Sequence, residues 1–486
     1  MTYRIEEQKW ILYRHTRSFR MIKVVAELLK WFSSAGIWED EKSRLLWKLA
    51  EIWLYRERNI SRPLDAINHR INTLAYYMFW YKDIVNWEKK FLFSPLWNLF
   101  LKKIDDNKAI SKIFLTMLWA VQFPHPHWWT DPSFLVFPFR IIFKLLTDSR
   151  LDNKIYAFEF AYLIVFIKEI NEEKYEELVW NILLLRSESN AIIEKKFKEN
   201  EHLFVNAVYE WDYYVSELLM DAWILEKFEW EVICRLQHGK TNTFRKVTRN
   251  YVEIDKELVD YCWNLLSEYS YFEQPLILSD PERLTVDTIK EIYSFYPDVL
   301  LKEVWEQNDA ISQILSLPKL IETYANNNEW LEAYLFEDVL TEWFNMFYNV
   351  EAKKIWWAWN TDIECLYTTK SKKFAVDAKS TKNKLSIINS WRLNAHREKI
   401  GGKYTIVITP RYVPAVREDI RWTNIVIILA NTFSEYLYNN LSNNIREIDY
   451  SEFDNLIIDN LWKDISPLIS NLTFNKFAIN EPWKQS

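Results

Sequence analysis

The stretch Thr361-Asp362-Ile363-Glu364-Cys365-Leu366-Tyr367-Thr368-Thr369-Lys370-Ser371-Lys372-Lys373-Phe374-Ala375-Val376-Asp377-Ala378-Lys379 decides the fold of the C-terminal part of this chain. Its flanks alternate and its centre, Thr368 to Lys373, is polar, which is the pattern of a β-hairpin. Side chains two apart on a strand share a face, so Asp377 and Lys379 point together while Val376 and Ala378 point into the fold. Pairing of the two arms brings Asp362 beside them. Two carboxylates and one ammonium grouped this way suit a magnesium site with a lysine at its edge, equipment for phosphodiester hydrolysis. In this reading Asp362, Asp377 and the Ala378 carbonyl bind Mg2+, and Lys379 orients the attacking water. The plain alternative is an edge strand with a surface ion pair; the same spacing at Asp40-Glu41-Lys42 reads as a solvated turn.

Working outward, the segment Asn389 to Arg397 predicts a helix on which Arg392 and His396, four apart, share a face. That face either contacts a phosphate or is a solvated basic surface. Lys403 to Pro410 predicts a buried strand, and the β-branched run Ile425 to Leu429 predicts another, in a central sheet. Upstream, Glu337 lies on the helix preceding the hairpin, where it either holds a metal-bound water or simply belongs to an acidic helix face.

Most of the first 350 residues show apolar positions at three- and four-residue spacing. Ser18 to Lys30, Glu41 to Tyr55 and Arg62 to Leu74 predict three helices, and Tyr76 to Leu92 a hairpin, the order of a winged helix-turn-helix. Asn68, Arg70 and Asn72 fall on the third helix, where Asn can pair with adenine and Arg with guanine; the alternative is a polar face touching solvent. Units of similar shape are expected between Pro138 and Ile193 and between Val208 and Leu265. The last contains Val232 to Val252, with five Lys or Arg and no Asp or Glu. There Lys240, Asn242, Arg245, Lys246 and Arg249 are candidates for gripping phosphates, contacts that position a protein without specifying sequence. A linker is expected near Glu273 to Asp280. His125-Pro126-His127 has no third ligand and reads as a turn.

Composition sets bounds. A net charge of −7 excludes a uniformly basic coat but permits local basic faces. No apolar run approaches the roughly 20 residues that span a bilayer. The opening residues are polar, and Cys234, Cys262 and Cys365 are isolated, which together fit a reducing cytoplasm and no membrane association. One count is abnormal: 4 glycines stand beside 26 tryptophans, where glycine ordinarily makes up about 7% of residues. Trp97, Trp223, Trp356, Trp357 and Trp359 sit where turns want glycine. The expectation is that a source reading the codon UGA as glycine has been translated with tryptophan in its place. Which tryptophans are affected is left open by the sequence.

The order helix with Glu337, loop, Asp362, hairpin, Asp377-Ala378-Lys379, helix, strand, strand resembles the PD-(D/E)xK nuclease fold, with Thr361 in place of the motif's proline. Together with the winged-helix-like units, the chain resembles type IIS restriction endonucleases, in the AlwI group and more distantly the FokI group. Ser94-Pro95-Leu96-Trp97, Pro124-His125-Pro126 and Glu435-Tyr436-Leu437-Tyr438 carry the AlwI likeness. The resemblance implies a multidomain α+β protein: a winged-helix-like recognition domain over 1–120, a further helical, winged-helix-like DNA-binding region over 121–275, and a nuclease domain with a mixed central sheet over 285–486. It implies Mg2+-dependent cleavage of double-stranded DNA outside a short asymmetric site, with Asp362, Asp377, Lys379, Glu337 and His396 as the catalytic set. It also implies a transient homodimer during cleavage and a cognate DNA methyltransferase in the same system. The rival reading is a winged-helix DNA-binding regulator whose nuclease-like domain is only structural.

Overall fold

The computed structural model describes residues 9–12, 16–31, 38–52, 54, 63–85, 88–239, 243–279, 288–289, 292–293, 295, 297–304, 330–355, 361–381, 384–443, 447–477 and 479–480. The chain is α+β and multidomain, as the sequence predicts. Its N-terminal part opens with α1 (Phe19–Trp31), α2 (Trp38–Glu51), α3 (Pro63–Tyr76), β1 (Trp80–Val85) and β2 (Glu88–Phe93). The strands pair antiparallel from Trp80↔Phe93 to Val85↔Glu88, so the three-helix and wing order is present. α4 (Pro95–Lys102) follows, its N-terminus capped by Ser94, whose Oγ accepts from the Trp97 amide.

Next come α5 (Asn107–Ala120), α6 (Pro138–Leu146), β3 (Ile155–Tyr156), α7 (Ala157–Tyr162), α8 (Glu172–Ser187), α9 (Asn190–Glu199), α10 (Glu201–Tyr209) and α11 (Ser216–Asp221). The unit expected between Pro138 and Ile193 has no wing. Its two-residue strand β3 pairs instead with β7 (Tyr251–Ile254), beyond β4 (Leu225–Phe228), β5 (Val232–Gln237) and β6 (Phe244–Thr248). β5 and β6 form a separate hairpin, so the third unit does carry a wing. α12 (Val259–Glu268) and α13 (Asp298–Val304) complete this half. Buried side chains from Trp10 to Val304 form one continuous core. The segment expected as a linker is tied down within the described residues: Arg140, itself buried, pairs with Glu273, and Gln122 exchanges hydrogen bonds with the Leu276 backbone. His125 is buried, its Nδ1 accepting from the amides of His127 and Trp128, a local turn as predicted.

The C-terminal part runs α14 (Trp330–Phe344), β8 (Val350–Lys354), β9 (Ile363–Tyr367), β10 (Lys372–Ala378), α15 (Ser390–Lys399), β11 (Thr405–Thr409), α16 (Val416–Asp419), β12 (Ile425–Leu429), α17 (Ala430–Ser442), α18 (Ser451–Asp459), α19 (Ser466–Phe477) and β13 (Ile479–Asn480). Five strands form one mixed sheet in the order β12-β11-β10-β9-β8. Alternate side chains of β11 and β12 enter two different cores. Ile406, Ile408, Val426 and Ile428 pack with Phe336, Phe344, Phe433 and Phe453 from α14, α17 and α18. Val407, Ile425 and Ile427 pack on the other face with Leu393 of α15 and Val416 of α16. Burial on both faces is why these strands read as continuous β-branched runs. β12 is the terminal strand of this central sheet. Its free edge is covered by residues 462–465, with Ile427 donating to Lys463 O and accepting from the Ile465 amide, which removes a liability that exposed edges carry. β13 then pairs with β2, and Asn98 donates to the Tyr438 hydroxyl at 2.6 Å, so the two halves are joined at the first wing.

The backbone bears on the tryptophan excess. Trp223, Trp422 and Trp462 have φ of 53°, 63° and 58°, the left-handed region where a bulky side chain is strained and glycine is not. Trp223 follows α11, where its amide donates to Met220 O and that of Ile224 to Leu219 O, a helix ending that favours glycine. Trp97 differs: it lies inside α4, is 1% exposed, and stacks on Phe93 with ring centroids 4.2 Å apart. No turn there requires glycine. Trp356, Trp357 and Trp359 lie outside the described residues.

Candidate active site

β9 and β10 pair with Ile363 opposite Val376, so Asp362 and Asp377 follow on facing positions at the end of the same ladder. Directly opposed residues share a face of the sheet. Thr361 fixes this end of β9: its buried hydroxyl donates to Val376 O at 2.9 Å. The proline of the expected motif is thus replaced by a side chain that ties the two strands together. Asp362 Oδ2 accepts from the Ala378 amide at 2.7 Å. Asp377 is 2% exposed, and its Oδ2 meets the Lys379 ammonium in an ion pair. The Lys379 amide donates to Ile408 O, which locks the end of β10 to β11.

Charge is crowded here. Burial, reinforced by the Asp377 charge, pushes the Asp362 carboxyl up to about 7; Lys379 and the Ala378 amide oppose it. Glu337, on α14, faces the same group, since its charge also acts on Asp362 and that of Lys379 acts on it. Burial raises the Glu337 carboxyl against the pull of Lys354. Lys354 lies 3.3 Å from Glu337 Oε2 and 2.8 Å from Asp338 Oδ1. It ends β8, opposite Ile363, and is the neighbour that sequence reading did not anticipate. The alternation of Val350-Glu351-Ala352 was the available signal for its strand.

α15 packs on β10 and β11. Its His396 is buried, and burial, with the Arg392 charge behind it, lowers the imidazole below its ordinary value while Asp377 pulls the other way. Burial and the neighbouring cation thus favour the neutral form of the imidazole. Arg392 is exposed one turn earlier. The structure thus groups Asp362, Asp377, Lys379, Glu337 and His396 at one end of the sheet.

The donor set fits a hard divalent cation. Two carboxylates face each other, burial pushes that of Asp362 up to about 7, and Ala378, the next residue after Asp377, donates its amide to Asp362. Among the described residues no group of three or more His, Cys, Asp or Glu side chains is placed to hold a metal ion. An open site of few protein oxygens suits Mg2+, which keeps several waters.

The other candidates lie in the N-terminal half. Asn68, Arg70 and Asn72 are half-buried on α3. Lys240 and Asn242 lie outside the described residues. Arg245 stacks over Tyr209, and Lys246 is exposed. Arg249 is engaged internally: its Nε donates to Asn190 Oδ1 at 2.8 Å, its Nη2 donates to Glu188 O, and it pairs with Glu231. It anchors the β5–β6 hairpin rather than facing a ligand. No described helix is long and apolar enough to cross a membrane.

The sequence matches the family model described as type II restriction endonuclease HgaI, N-terminal domain, over residues 5–269. It is 44% identical over 480 residues to the type II restriction enzyme HgaI of Avibacterium volantium, covering 97% of this chain and 98% of that protein. Among solved structures, that of restriction endonuclease FokI is 7% identical with a TM-score of 0.26, covering 92% of this chain and 98% of the other. FokI bound to DNA is 9% identical with a TM-score of 0.28, covering 94% and 99%. The restriction-enzyme reading of the sequence stands, under the name HgaI where the resemblance had pointed to the AlwI group. The chain belongs to the HgaI family of type II restriction endonucleases.

Proposed function

We propose that this protein is a sequence-specific, Mg2+-dependent endonuclease that cuts double-stranded DNA outside a short asymmetric site, leaving 5′-phosphate and 3′-hydroxyl ends. The observation that carries this reading is the meeting of Asp362, Asp377 and Lys379 at one end of the five-stranded sheet. Asp362, Asp377 and the Ala378 carbonyl hold the cation, which when bound supplies charge to offset the scissile phosphate and acidify a water. Lys379 orients the attacking water and is itself held by Asp377. His396, neutral and buried, takes up the proton, and Glu337 supports a water at the site edge. Arg392, exposed one turn from His396, contacts the phosphate.

In this reading residues 1–120 and 121–275 recognise DNA and residues 285–486 cut it. Asn68, Arg70 and Asn72 read bases from α3. Lys240, Asn242, Arg245 and Lys246 contact phosphates, and Arg249 braces the hairpin that carries them. The protein works in the cytoplasm beside a cognate methyltransferase and pairs transiently with a second copy, because a single metal site cuts one strand at a time.

Plasmid DNA incubated with the protein and Mg2+, followed by run-off sequencing of the ends, tests this. Defined ends at a fixed offset from one short sequence are expected, and Asp377→Ala should lose cleavage while keeping salt-dependent DNA binding. Cleavage by Asp377→Ala at the wild-type rate would overturn the assignment. A wild-type protein that binds but never cuts would favour the regulator.

A further inference from the structure

Between α10 and α11 the chain makes a π-helical turn, Glu210–Val215, a rare widening that is common at functional sites. Its acidic side chains face inward. Glu210 forms a buried ion pair with Lys9 at 2.5 Å. Asp212 lies 3.1 Å from Lys227 Nζ and accepts from the Thr248 hydroxyl and the Asn250 amide nitrogen. These bonds clamp the turn to β4 and to the end of β6. Trp211 is buried against Phe160, whereas Tyr213 faces outward next to Tyr209, the residue before the turn. Tyr209 and Tyr213 stack with ring centroids 4.8 Å apart and planes 10° from parallel, and Tyr213 is 38% exposed. An arginine closes each end of the stack. The Arg245 guanidinium lies 3.5 Å over Tyr209 and the Arg17 guanidinium 4.7 Å over Tyr213. Neither meets a carboxylate among the described residues.

The hairpin that supplies Arg245 adds to the pattern. On its outer face Arg235 stands directly opposite Lys246, both exposed. Like charges in that position destabilise a sheet unless an anion lies across them. This pair lies on the face opposite Arg245, whose cross-strand partner is the buried Leu236, so it is a second basic patch beside the stacked arginines in a chain of net charge −7.

We infer that the Arg17–Tyr213–Tyr209–Arg245 ladder grips the phosphate backbone of duplex DNA. This rests on the DNA-cutting function proposed above and adds Arg17, Tyr209 and Tyr213 to it. Stacking fixes each guanidinium plane in advance and leaves its N–H edge free for two phosphate oxygens, so less ordering is lost on binding. Arg17 precedes α1 while Arg245 sits on β6, so the ladder joins the first winged unit to the third across a single run of backbone contacts.

Fluorescence anisotropy of a labelled duplex, with chelator present to prevent cutting, tests this over a salt series. Arg17→Ala and Arg245→Ala are each expected to weaken binding about 5- to 10-fold, equally on cognate and unrelated duplexes, and to reduce the salt slope by about 1. Tyr213→Leu should resemble Arg17→Ala, whereas Tyr213→Phe, which keeps the ring, should bind like wild type. Wild-type affinity and slope in Arg17→Ala would overturn the ladder while leaving the DNA function intact. A loss confined to the cognate duplex would also overturn it, since that is base reading. Absence of salt-dependent binding by the wild-type protein would remove the DNA function itself.

Discussion

Asp362→Asn should make the metal-free protein more stable while abolishing its activity. The Asp362 carboxyl sits at about 7 against an ordinary 3.8. Below pH 3.8 the group is protonated whether the chain is folded or not. Between those values the unfolded chain ionises and the folded one does not, so rising pH removes stability, and above pH 7 the full cost persists. At 1.36 kcal/mol per pH unit, a gap of about 3 sets a ceiling of ~4 kcal/mol. Asparagine carries no charge, and its carbonyl oxygen can still accept from the Ala378 amide. Its NH2 gains no certain partner in a crowded carboxylate site, which reduces the net gain to ~2 kcal/mol. For a nuclease half of this size that is about 4–8 °C in melting temperature. Thermal unfolding followed by circular dichroism, in chelator at pH 8 and again at pH 4, reads the difference. The variant should melt higher at pH 8 and slightly lower at pH 4, where the ionisation cost is gone and only the NH2 cost remains, and excess Mg2+ should raise only the wild type. An Asp362→Asn protein that melts lower than wild type at pH 8, or by a margin independent of pH, would refute the reasoning.

Further outcomes follow from the same geometry. Asp454 is fully buried with Lys370 and Lys372 on its oxygens. Asp454→Asn should cost ~3 kcal/mol in urea unfolding at pH 7. Hydrogen bonds and these cations hold its carboxyl below the usual range against the cost of burial, so its contribution is present above pH 3.8 and fades as pH falls towards its folded value. His396→Ala should slow cleavage ~100-fold with duplex affinity unchanged; a change in affinity instead would make it a binding residue. Trp223→Gly, Trp422→Gly and Trp462→Gly should each stabilise by ~1 kcal/mol through relief of the left-handed backbone, whereas Trp97→Gly should destabilise by at least ~3 kcal/mol. The intact mass of the natively made protein should fall short of the printed sequence by a whole number of tryptophan-to-glycine replacements; a mass equal to the printed sequence would end the recoding expectation.

The hairpin that builds the site was legible because alternation fixes which face each side chain takes, and only one register aligns Ile363 with Val376. The first winged unit was legible for a similar reason: three amphipathic periods and an alternating pair leave few arrangements. What the sequence hid was partnership. Nothing local in Lys354 says that it will close on Glu337 and Asp338 from an adjacent strand. Arg249 read as one more cation of a basic run, yet Asn190 and Glu231, 59 and 18 positions earlier in the chain, hold its guanidinium. The strand Ile425 to Leu429 was legible as part of the central sheet because both faces are apolar; that it ends the sheet, with its edge covered by residues 462–465, was not, since the partner segment lies far along the chain. Between Pro138 and Ile193 helical periods were read as a second copy of a pattern, and the only strand there pairs with β7 far along the chain.

Calorimetric titration of Mg2+ into the protein with a bound duplex tests the central claim most directly, on wild type, Asp362→Asn and Asp377→Asn. Saturable binding by wild type that each single substitution abolishes is the predicted result. Undiminished binding by either variant would contradict a cation held jointly by Asp362 and Asp377.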